Sequence, residues 1–158
     1  MPASWVMHEM ETVHLNDRRL NARLVEVLSQ LADQPAASIP TACGGHAEMT
    51  AAYRLFDNEK ATFEQILRAH SDATRRRIAA HPVILLVQDT TEVDVTRPEQ
   101  QVVGAGPLDG QARHGALLHV MHAFAPDGTP LGTISGVAWA RADGIHCASL
   151  TRSERASM

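Results

Sequence analysis

A chain of 158 residues, 44% hydrophobic and 20% charged, is sized for one compact domain or two small ones, and it can bury enough surface to fold without disulfide staples. That composition excludes disorder throughout, and a net charge of −4 excludes a globally basic nucleic-acid binder while leaving room for a local basic face. The longest aliphatic run, Val83 to Val87, is far too short to cross a bilayer, which takes about 20 apolar residues.

The N-terminal half reads as helices. Leu20, Leu24, Val27, Leu28 and Leu31 recur at the spacing of one apolar helix stripe, with Asn16 or Asp17 placed to cap the free N–H groups at its start. Pro35 lies past its end, and the stretch to Pro40 reads as a loop. A second helix is expected over Ala47 to Phe56, with Met49, Ala52, Tyr53 and Phe56 on one face. A third opens with the capping box Thr62-Phe-Glu-Gln65, buries Phe63, Ile66, Leu67 and His70, and stops before Pro82.

Strand signals follow. The continuous apolar run Val83–Val87 is expected to be a strand covered on both faces, with Val93–Thr96 as its hairpin partner. Residues Leu117–Phe124 and Leu131–Trp139 flank Pro126-Asp-Gly128 and read as a hairpin. Residues 142–158 form a polar tail to which no element is assigned. The opening MPASWVMHEMETVH lacks a basic segment before an apolar core, so no secretory signal is expected. Cys43 and Cys147, without any CxxC, fit reduced thiols in a cytoplasm.

The sharpest local feature is Gln88-Asp-Thr-Thr-Glu92, where an apolar strand delivers a carboxylate at its C-terminal end. Open sheets place ligand sites there, and a carboxylate is a good hard-cation ligand. The competing reading makes Asp89 the start of an Asx-turn into a hairpin. Local spacing leaves both standing. Arg19 and Arg23, at i and i+4, share a face of the first helix, and Arg54 follows Tyr53 on the second. Arginines so placed grip phosphates or read guanine edges, or simply solvate a helix face. Arg75-Arg-Arg77 favours the plainer role of complementing a helix C-terminal dipole. His119 and His122 fall on opposite faces of a strand, and no HExxH or cysteine partner supports zinc. Gly104-Ala-Gly-Pro-Leu108 lacks the Lys and helix start of a phosphate loop and fits close packing better.

Several segments in order carry a resemblance: Leu15-Asn-Asp-Arg-Arg-Leu-Asn-Ala-Arg-Leu24, Ala52-Tyr-Arg-Leu-Phe-Asp-Asn58, Leu85-Leu-Val-Gln-Asp-Thr-Thr91, Gly104-Ala-Gly-Pro-Leu108, Gly115-Ala-Leu-Leu-His119 and Gly128-Thr-Pro-Leu-Gly132, running to Trp139-Ala-Arg141. Over residues 5–141 the chain resembles the N-terminal portion of bacterial DDE cut-and-paste transposases of the insertion-sequence-four family. The resemblance implies an α+β chain. Residues 1–80 would form an all-helical domain that binds transposon ends. Residues 81–141 would begin a ribonuclease-H-like catalytic domain, an incomplete mixed sheet, and residues 142–158 stay unassigned. It implies that Asp89 is the first carboxylate of the catalytic triad and a Mg²⁺ ligand, and that Arg19, Arg23, Tyr53 and Arg54 contact double-stranded DNA at the terminal repeats.

Complete members of that family use Mg²⁺ to hydrolyse the transposon end and then join the freed 3′-hydroxyl to target DNA. They carry a second Asp on a later strand and a Glu on a downstream helix. Asp143 and Glu154 lie in polar surroundings that match neither. One carboxylate cannot hold two ions about 4 Å apart, so tight Mg²⁺ binding and DNA cleavage are not expected of this chain alone. The expected role is a DNA-binding transposase fragment, cytoplasmic and nucleoid-associated when on DNA, with no membrane partner. The alternative is a non-catalytic module that pairs with full-length transposase, or with itself, and inhibits transposition, or else an inert relic.

Overall fold

Asp17 opens the longest amphipathic stretch of the chain, and it does so as a helix cap: its backbone is extended and its carboxylate accepts the Arg19 N–H at 2.8 Å. The computed structural model describes residues 4–97, 102–109 and 112–142. Among them are helices α1 (Ser4–Glu9), α2 (Arg18–Asp33), α3 (Ile39–Cys43), α4 (His46–Phe56) and α5 (Phe63–Ile78), then strands β1 (Leu85–Asp94), β2 (Gly106–Pro107), β3 (His114–Phe124) and β4 (Pro130–Trp139). The protein is therefore α+β, with the helices N-terminal and an antiparallel sheet after them. No helix among the described residues is long and apolar enough to cross a membrane. Cys147 and the candidate carboxylates Asp143 and Glu154 lie outside the described residues.

The described chain clusters into two units. The first runs up to Val87 and includes His122–Ser135; the second comprises Gln88–Met121 and the chain from Gly136. In the first unit α2, α3 and α4 pack on one another, and α1 packs on α2 and α5. Leu15, Leu24, Val27 and Leu55 are its largest fully buried aliphatic side chains after the N-terminal Val6 is counted with them. A smaller cluster of Ala123, Ala125 and Leu131, backed by Ile78, Ile84 and Ile134, sits by the β3–β4 turn. That turn is the expected one at Pro126-Asp-Gly128, closed by the Ala125 N–H on Thr129 O at 2.9 Å. In the second unit the Val95 N–H donates to His114 O at 3.0 Å, and Thr90 Oγ1 meets His119 Nδ1 at 2.7 Å. Partner numbers fall as β1 numbers rise, so β1 and β3 run antiparallel. β2 pairs antiparallel with the start of β3. The mixed sheet expected from the sequence is, in the pairs just described, antiparallel.

Several elements depart from expectation. α1 was not foreseen. The expected loop after Pro35 holds as far as Ser38, and α3 takes over its last two residues, because proline, with no N–H to lose, fits a first helical turn. α3 ends at Gly44, whose φ of +69° supplies the left-handed cap, and its last residue, Cys43, is a buried free thiol. α4 buries Ala52 and Leu55 and leaves Tyr53 and Phe56 at 47% and 49% exposure, so the inward stripe is the adjacent one. α5 begins at Thr62 as expected, its hydroxyl accepting the Gln65 N–H. It turns Ala69, Ser71, Ala73 and Thr74 inward, however, while Phe63 is exposed. Small side chains let neighbouring backbones come close, which favours that face.

β1 departs most. The run from Leu85 continues unbroken to Asp94, so Val93 and its neighbours extend the strand rather than fold back as a hairpin partner. β1 is also exposed along nearly its whole length, Leu85 to Val87 included, against the expectation of cover on both faces. An apolar run suits a buried strand but does not supply the layers that bury it.

Candidate nucleic-acid interface

The first turn of α2 is presented by a short polar device. Asn16 adopts a φ of +57°, Asp17 caps the helix, and Leu15 is fully buried immediately before them. One turn into the helix, Asn21 reaches back: its Oδ1 accepts the Leu15 N–H at 2.9 Å and its Nδ2 donates to Val13 O at 3.3 Å. Leu24 and Val27 point inward, so Arg18 and Arg19 face solvent. Arg23, one turn beyond Arg19, pairs with Glu26 at 2.8 Å. That pair is exposed and weak, but it offsets part of the Arg23 charge.

Tyr53 and Arg54 lie exposed on α4, a helix that packs against α2. An exposed aromatic ring beside an arginine offers a stacking surface and a phosphate-binding fork together. The two candidate pairs thus occupy neighbouring helices of one unit. No ion pair holds the Arg19 or Arg54 guanidinium among the described residues.

The Arg75–Arg77 run is spent internally. Arg75 pairs with Asp72 at 2.9 Å, and Arg76 donates to His8 O at 3.1 Å. Arg77 makes a two-pronged pair with Glu9, at 2.7 and 2.9 Å, and donates to Leu131 O at 2.5 Å. His70 completes this cluster: Nδ1 meets the Glu9 carboxylate at 2.5 Å, and Nε2 accepts the Thr133 N–H at 2.9 Å. Burial pushes the Glu9 carboxyl up, but hydrogen bonds and charge from Arg77, then His70, outweigh it and hold it below the usual glutamate value. The three arginines sit in the last turn of α5, where the dipole-complementing role places them, and Arg77 adds a structural tie between α1, α5 and β4. Sequence reasoning missed Glu9, the tie made by Arg77 and the role of Asn21.

Asp89 lies in the second unit, mid-strand in β1 and exposed. It is neither at a strand end nor in an Asx-turn. Strand alternation puts it on the face opposite Thr90, Glu92 and Asp94. Those acids are already engaged: Arg113 pairs with Glu92 and with Asp94, each at 2.9 Å. The Thr96 hydroxyl and N–H, then Arg113, hold the Asp94 carboxyl down at about 2. Among the described residues no group of three or more His, Cys, Asp or Glu gathers to hold a metal ion. One exposed carboxylate does not fit a two-ion Mg²⁺ site. The histidines do structural work, His119 on Thr90 and His122 on Thr133 Oγ1 at 3.0 Å. Gly106 is buried in β2, its backbone against that of Arg141, which is the packing role expected of the glycine-rich loop.

With this geometry in place, comparison with known proteins bears on the first unit. Residues 2–61 match the family model for transposase DNA-binding. The match supports a transposase N-terminal region. It takes in α1 to α4 whole, together with Arg19, Arg23, Tyr53 and Arg54, and it stops at the residue before the Thr62 cap of α5. Asp89 lies outside the matched stretch.

Proposed function

We propose that the chain binds double-stranded DNA at the ends of a transposon, as the N-terminal part of an insertion-sequence-four-type transposase. Arg19, Arg23, Tyr53 and Arg54 form the contact surface. One observation carries this reading: the transposase DNA-binding match covers the helices that carry these four residues, of which Arg19, Tyr53 and Arg54 are exposed and Arg23 is half-buried. Arginines on exposed turns neutralise phosphates and release counterions, so a chain of net charge −4 can still bind through a local face. Residues from 81 onward are read as the start of a ribonuclease-H-like portion, with Asp89 as its first catalytic carboxylate.

The test is fluorescence anisotropy with a duplex carrying the terminal repeat and a scrambled duplex of the same composition. Affinity is expected to favour the repeat and to fall as salt rises. Arg19→Ala and Arg54→Ala should each weaken binding and reduce the salt slope by about one. Salt-independent binding, or none, refutes the reading.

This polypeptide alone is expected to leave a supercoiled plasmid bearing two terminal repeats uncut in Mg²⁺, because the described residues offer Asp89 without companion ligands. Cleavage that Asp89→Ala abolishes would show instead that a complete site assembles.

A further inference from the structure

We infer that Asn21 is a positioning residue for DNA binding: without touching DNA, it aims the first turn of α2 and the arginines on it. The inference rests on the DNA-binding reading above. The segment before α2 makes an abrupt entry, with Leu15 fully buried, Asn16 in the left-handed region and Asp17 extended. Such an entry leaves backbone groups without helical partners. The Asn21 carboxamide satisfies two of them, accepting from Leu15 N–H at 2.9 Å and donating to Val13 O at 3.3 Å. Its own N–H donates to Asp17 O at 3.0 Å in the first helical turn. One side chain therefore ties the incoming segment of chain to the helix it enters, and does so on both sides of His14.

The residues this tie fixes are the ones that matter for binding. Asp17 caps the Arg19 N–H at 2.8 Å, so the direction of the Arg18 and Arg19 side chains follows from where the cap sits. A guanidinium fork needs its planar geometry matched to the phosphate, and a shifted helix start breaks that match while leaving the charge in place. Asn21 is half-buried and neutral, and a neutral residue with no phosphate contact has no direct influence on counterion release.

The experiment uses the full chain and a duplex enriched from a random-sequence pool by the wild-type protein. Asn21→Ala is expected to weaken binding severalfold and to lower the salt slope by about one, as Arg19→Ala does. The double variant should bind no more than about twofold weaker than Arg19→Ala alone, since both act through one contact. Val27→Ala, a core truncation in the same helix, controls for lost stability and should keep the wild-type slope. Leu15 amide exchange in the unbound wild type should be slow. If Asn21→Ala does not fold, Asn21→Ser carries the same readouts. A wild-type slope in the Asn21 variant, additive losses in the double variant, or fast Leu15 exchange overturns the inference alone. A pool from which the wild type enriches nothing overturns the DNA-binding reading, and this inference with it.

Discussion

Arg77→Ala is expected to lower the unfolding free energy by about 2–3 kcal/mol at neutral pH, read from urea denaturation followed by circular dichroism. Removing one partner of a well-shielded pair costs more than the pair contributes, because the other charge is left stranded. Here the group left behind is Glu9, whose side chain is only 14% exposed and keeps only His70 as a partner, while Arg77 is 39% exposed and its share is discounted for screening. The Leu131 carbonyl and the Thr74 hydroxyl lose a donor as well. Arg77→Lys should recover only part of the loss, since an ammonium cannot reproduce the fork.

The same variant carries a pH signature. The folded Glu9 carboxyl titrates below its ordinary value of 4.5. Its contribution is fully present above that value and is lost as pH falls through the lowered folded one. In Arg77→Ala burial still pushes the carboxyl up and only His70 is left to oppose it. The gap between wild type and variant should therefore be widest at neutral pH and close as pH falls below 4.5. A gap that stays constant through the acid range would show that Arg77 acts by packing alone.

Gly115→Ala should cost about 3 kcal/mol, at the upper end for overpacking. A Cβ at this position would stand 2.0 Å from Val93 O and 2.9 Å from Leu108 Cδ1. The nearer atom is backbone, held in place by the pairing of Val95 N–H with His114 O at 3.0 Å, so no side-chain rotation relieves it. β1 and β3 must separate at this end, and Arg113 then loses its placement between Glu92 and Asp94. Faster hydrogen exchange at the Val95 amide is the expected readout. An unchanged rate would mean that the strands part locally without loss.

What the sequence revealed of this fold depended on how local the responsible physics is. α2 was legible because five aliphatic residues recur at helical period behind an Asp cap, and α5 because Thr62 and Gln65 form a cap within four residues. The β3–β4 turn was legible from Pro126-Asp-Gly128. α1 and α3 span six and five residues, too few for a period to show. On α4, Tyr53 and Leu55 are both apolar enough to turn inward, and only packing against α2 and α3 chooses between their stripes. β1 was cut short because hydrophobicity stops at Val87 while pairing with β3 does not. At the candidate site the arginines announce themselves by spacing along one helix. The partner of Arg77 lies 68 positions away, and no pattern of composition links the two. Asn21 was visible as a letter in a motif, but its purpose exists only as two hydrogen bonds.

The shielded thiol at the end of α3 makes the helical unit self-reporting. Cys43 is only 4% exposed, and a thiolate must meet reagent to be alkylated. In a chain carrying Cys147→Ser, the rate of Cys43 modification then counts excursions in which α3 leaves its neighbours. Bound DNA that steadies α2 and α4 would slow that count, so a colourless alkylating reagent can follow occupancy of the helices without a label on either partner.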